Sequence, residues 1–82
     1  MALTPERIER RLKRVFQQAF PTLPDTQTII ATQETVPGWD SLATLSLFAM
    51  AEEEFGIKIG LDRVQKVHTF EDMRAIVTEK AG

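Results

Sequence analysis

The chain has 82 residues, no cysteine, one histidine (His68) and a formal net charge of −2. That length suits one small domain, residues 1–82, which buries only about 60% of its unfolded surface and needs a lean core. Disulfides, thiolate metal sites and multi-histidine metal sites are excluded by composition. No apolar run approaches the roughly 18 residues of a membrane span, and Pro5, Glu6 and Arg7 interrupt any signal-peptide core, so the cytoplasm is the expected location.

The first predicted helix starts at Thr4, a good N-cap, with Pro5 at the first helical position and Glu6 at the positive end of the dipole. Ile8, Leu12, Val15, Phe16 and Ala19 follow at helical spacing, and Pro21 stops the helix near Phe20. Its outer positions are basic. Arg7, Arg10, Arg11, Lys13 and Arg14 stand against Glu6 and Glu9, a local +3, while the rest of the chain carries −5. Such asymmetry steers partners, although a solvated helix face is the plainer explanation for it.

Pro21 to Gly38 has no sustained period and reads as one long loop, with Ile29 and Ile30 as its candidate anchors. Trp39 is expected to cover the core where this loop meets the second helix. That helix begins at Asp40 or Ser41 and ends at Phe55, before Gly56. Thr44, Leu47, Phe48, Ala51 and Phe55 fall on one side of it. Leu42, Leu45 and Ala49 fall on another, so the helix is apolar over more than the face a core requires. A helix of that kind is either enclosed or offers a docking surface.

Ile57 to Ile59 lies between Gly56 and Gly60 and reads as loop. Leu61 to Lys66 reads as a short helical turn. Thr69-Phe70-Glu71-Asp72 resembles a capping box ahead of a last helix, whose Phe70, Met73, Ile76 and Val77 repeat at helical spacing to about Lys80. The reading is all-α, with three longer helices, a short third one and a long first loop.

Little in this inventory supports catalysis. Ser41 would need an adjacent base to act as a nucleophile, and the single histidine stands just ahead of the last helix. Gly38-Trp39-Asp40-Ser41 also lacks the spacing of a hydrolase nucleophile elbow. A serine at a helix start has another use, because free backbone N–H groups and the dipole favour a phosphate ester there. Taken locally, capping of the helix by Asp40 and Ser41 is the stronger explanation.

The wider pattern points further. Gly38-Trp39-Asp40-Ser41-Leu42, followed by Glu52-Glu53-Glu54-Phe55-Gly56-Ile57-Lys58-Ile59, is similar to the signature of acyl carrier proteins, and the resemblance spans nearly the whole chain. It implies a small four-helix bundle with no catalytic residues and no metal, whose Ser41 receives 4′-phosphopantetheine from coenzyme A through a phosphopantetheinyl transferase. The working thiol then belongs to the prosthetic group, consistent with a chain that has no cysteine. Acyl-loading and acyl-processing enzymes are the implied partners, met through Asp40, Leu42, Leu45, Ala49, Glu52, Glu53 and Ile59. A monomer is expected, with no nucleic-acid partner. Ala43 and Ser46 stand where fatty-acid carriers generally have acidic residues, and the first helix is basic, which points to a specialised pathway, fatty-acid or polyketide in type. The competing expectation is an unmodified helical interaction module that uses the Leu42, Leu45 and Ala49 face.

Overall fold

Thr4 opens the first helix as its side chain predicts: Oγ1 accepts a hydrogen bond from the Arg7 N–H at 3.3 Å, and Pro5 follows at the first position. In the computed structural model, which describes residues 3–81, this helix is α1 (Pro5–Ala19). It is followed by α2 (Asp25–Thr28), α3 (Ser41–Phe55), a 3₁₀ helix (Leu61–Lys66) and α4 (Phe70–Ala81). The all-α bundle expected from the sequence is the fold observed, with three long helices.

The core forms where the apolar faces of the long helices meet. Ile8, Leu12, Val15 and Phe16 of α1 are buried together with Leu47, Phe48 and Ala51 of α3 and Phe70, Met73, Ile76 and Val77 of α4. Phe16 lies at its centre. Its ring meets Trp39 edge-on at 5.4 Å between centroids and Phe70 at 5.0 Å, geometries that suit the aromatic quadrupole.

The loop after α1 departs from expectation in two ways. Asp25 to Thr28 forms a single helical turn, started by Pro24 at its N-cap. The anchors are also different: Ile29 and Ile30 are 39% and 68% exposed, whereas Thr28, Ala31 and Val36 are buried. The threonines explain this. Thr28 can be buried because its hydroxyl donates to the Pro24 carbonyl at 2.9 Å. Thr32 and Thr35 bond each other's backbone and side chains in a tight turn that ends with Val36 facing inward. Such local side-chain bonding competes with regular structure, and apolar counting does not register it.

The far side of the loop is sewn to the start of α4. Gln33 N–H donates to the His68 carbonyl at 2.7 Å, Phe70 N–H donates to the Ala31 carbonyl at 2.9 Å, and Thr32 and Thr69 form an isolated antiparallel bridge. Thr69 caps α4 by accepting from Asp72 N–H at 3.0 Å. The Asp72 carboxylate reaches one residue further back than a capping box requires and takes the His68 N–H at 2.9 Å.

Phe55 is the second correction. Expected among the inward residues, it is only half-buried, because the last turn of α3 runs past the end of the core. The Arg11 guanidinium stands 5.0 Å from its ring centroid and pairs with Glu54 at 2.6 Å. Two residues further along α1, Lys13 reaches Asp25 at 3.0 Å, and its hydrogen bond and charge hold that carboxyl below its ordinary range.

Candidate functional site

Each residue of Gly38 to Leu42 has its own task at the start of α3. Gly38 has φ +85°, a backbone conformation that side chains disfavour, and turns the chain toward the helix. Trp39 then drops into the core, 4% exposed, against Phe16 and Phe20. Its indole N–H donates to Thr44 Oγ1 at 2.8 Å, and that hydroxyl in turn donates to the Asp40 carbonyl at 3.1 Å. Both polar groups can therefore be buried without an unmet partner. Asp40 is the N-cap: its Oδ1 accepts from Ala43 N–H at 2.9 Å.

Ser41 is thereby left without a structural duty. It occupies the first position of α3 and is exposed, and among the described residues its hydroxyl has no hydrogen-bond partner. Capping is thus the work of Asp40 alone. The first-turn N–H groups of a helix have no intrahelical acceptor, so the surroundings of Ser41 Oγ favour an anionic substituent.

The other residues singled out in the sequence divide into two sets. Leu42 (73% exposed), Leu45 (37%) and Ala49 lie open to solvent on α3 beyond Ser41, and Glu53 is exposed further along. The outward apolar side of the helix is therefore not enclosed. Ile59 and Glu52 differ. Ile59 is 6% exposed and belongs to the core, and Glu52 is half-buried, its carboxylate accepting the Ile59 N–H at 2.8 Å. That bond fastens the loop after Gly56, itself left-handed at φ +65°, back onto α3. Ile59 offers a partner no surface, and the Glu52 charge is partly spent within the chain.

His68 is exposed, and its Nδ1 is 2.6 Å from the Gln33 side-chain oxygen. Among the hydrogen bonds of the described residues, none links it to Ser41 or to a carboxylate through its ring, so no serine–histidine–aspartate relay exists. No group of three or more His, Asp or Glu that could hold a metal ion occurs among the described residues. Sequence reasoning missed Thr44 as the partner that lets Trp39 be buried. The available signal was a lone polar residue on the inward side of α3.

Ala19, Phe20, Pro37, Gly38, Ala43 and Met50 line an open groove of about 410 Å³ that joins the end of α1 to the start of α3. Arg11 meets Glu54 at the opposite end. The two helices therefore run antiparallel, and Ser41 stands about 20 Å from that ion pair at 1.5 Å of rise per residue.

No family model matches the chain. It is 35% identical over 79 residues to "Acyl carrier protein, chloroplastic" of Brassica napus, covering 95% of this chain and 58% of that protein. It is 34% identical over 79 residues to "Acyl carrier protein SF2, chloroplastic" of Brassica campestris, with the same coverage. The chain thus spans a little over half the length of the curated relatives it matches.

Proposed function

We propose that this chain, which belongs to the acyl carrier protein family, carries 4′-phosphopantetheine on Ser41 and presents acyl groups to partner enzymes. The observation that carries this reading is the freedom of the Ser41 hydroxyl: exposed, at the first position of α3, with the cap supplied by Asp40. Members of this family are carriers and not enzymes. The base and metal for attachment therefore come from the transferase, and this chain supplies the acceptor. In that step Ser41 Oγ forms a bond to the phosphorus of coenzyme A nearer the pantetheine, adenosine 3′,5′-bisphosphate leaves, and the serine proton passes to the transferase base. When bound, the prosthetic group supplies the thiol on which acyl groups are held as thioesters.

The site residues fit such a group. The hydroxyl is open to an incoming enzyme, and the helix dipole favours the phosphodiester that results. Incubation with coenzyme A, Mg²⁺ and a broad phosphopantetheinyl transferase should add one phosphopantetheinyl mass per chain, mapping to the peptide containing Ser41. No gain in mass would favour the second reading, an unmodified interaction module that uses the exposed Leu42, Leu45 and Ala49.

Those three side chains also form the recognition surface we assign to the acyl-loading and acyl-processing enzymes. Beside Ser41 the Asp40 carboxylate caps the helix, and Ala43 and Ser46 add no further charge, so contact along the outward face is apolar, with Glu53 steering from further along α3. Leu45→Glu should leave the melting temperature unchanged and impair turnover by a partner enzyme acting on the loaded carrier, whereas Glu53→Lys should slow association in a salt-dependent way. Normal turnover by loaded Leu45→Glu would remove this face from the docking surface. The uncharged first turn also favours a dedicated carrier in a specialised pathway.

No helix of the described residues is long and apolar enough to cross a membrane. The relatives named above are chloroplastic proteins, so they lend no support to the cytoplasmic location expected from the sequence, which cell fractionation would decide.

A further inference from the structure

We infer that the outer face of α1 is a second docking surface, which takes an acidic helix of a partner protein at the end of the molecule remote from Ser41. Arg7, Arg10, Arg11 and Arg14 recur at helical spacing and line one shallow depression. Arg11 is held there by Glu54 and Phe55. Arg7, Arg10 and Arg14 are exposed, and among the described residues no carboxylate lies within ion-pairing distance of them. Of the neighbouring charges on α1, Lys13 is turned to Asp25.

The unpaired positive charge on this face is all guanidinium, with Glu6 at its edge one turn before Arg10. The planar fork of a guanidinium matches carboxylates in two-point contacts, which an ammonium cannot make. Arg7 to Arg14 spans two helical turns, about 10 Å. That spacing matches carboxylates placed three, four and seven residues apart on a facing helix. A lipid surface is a poorer occupant. Every apolar residue of the buried face of α1 is spent in the core, so nothing beside the arginines can enter the acyl boundary. Duplex DNA is also poorer, because the rest of the chain carries −5 and repels a polyanion of that extent.

The probe is a short alanine-based helical peptide with glutamates at that spacing, titrated into isotopically labelled protein and followed by amide chemical shifts. Shifts should concentrate on residues 7–14 and fade as salt rises. The triple variant Arg7→Gln, Arg10→Gln, Arg14→Gln should bind roughly tenfold more weakly or worse, with an unchanged fold by circular dichroism. Shifts centred elsewhere, wild-type affinity in the triple variant, or tighter binding to a duplex DNA oligomer or to phosphatidylserine vesicles than to the peptide would overturn the inference. The triple variant should still accept phosphopantetheine at the wild-type rate. Failure of wild-type loading would count against Ser41 and leave the arginine face untouched.

Discussion

Ser41→Ala should accept no phosphopantetheine and still melt close to the wild-type temperature. The first half follows from chemistry: the acceptor oxygen is gone, and the hydroxyls that open the other long helices, Thr4 and Thr69, are already engaged as caps of α1 and α4. The second half follows from the hydrogen bonds. Because Ser41 Oγ bonds to nothing among the described residues, its loss exposes no orphaned group, and the change should stay within about 0.5 kcal/mol. For a domain of this size that is roughly 2–4 °C in melting temperature. Asp40→Ala should behave in the opposite way. It removes the acceptor of the Ala43 N–H, should cost about 1 kcal/mol, and should still gain the phosphopantetheinyl mass on prolonged incubation. Intact-mass analysis and thermal melts of both variants separate the roles of two adjacent residues. Labelling of Ser41→Ala would sink the assignment.

The largest stability loss is expected for Phe16→Ala. Phe16 is fully buried and touches Phe20, Trp39 and Phe70, so truncation should cost about 3–5 kcal/mol. A chain of this length is typically stable by only about 4–12 kcal/mol, so the variant approaches the limit of folding. Phe16→Leu, losing about 1 kcal/mol, keeps the comparison measurable if the alanine variant does not fold. Phe55→Ala should lose only about 1–2 kcal/mol, since that ring is half-buried and its chief partner is a surface guanidinium. Urea melts give the order directly. Equal losses at Phe16 and Phe55 would contradict their different burial.

The helices were legible because capping and periodicity agree with the packing. Thr4-Pro5, Asp40 and Gly56 mark helix ends that the backbone uses, and the inward residues of α1 and α4 are those the spacing selected. Two places were not legible. In the loop, Ile29 and Ile30 look like anchors, yet hydroxyls bonding to nearby backbone decide which residues turn inward. At the end of α3, the helical count puts Phe55 in the core but cannot say where the core stops. The serine was legible as a candidate. Its release from capping was not, since Asp40 and Ser41 are both good N-cap residues and only geometry shows which one is used.

The backbone seam between residues 31–33 and 68–70 bears on the order in which the molecule assembles. Its partners are 35 residues apart at Gln33 and His68. Closing a chain of that length costs about 3 kcal/mol from the length-dependent entropy alone, against the return of the two backbone hydrogen bonds that make up the Thr32–Thr69 bridge and one side-chain bond between His68 and Gln33. The cost falls once α3 and the 3₁₀ helix have formed and shortened the intervening chain. The seam is then a late clasp, fastened after α1, α3 and α4 have met. Conservative changes at Thr32, which takes no part in capping α4, should speed unfolding and leave the folding rate nearly untouched, the kinetic signature of contacts made after the barrier.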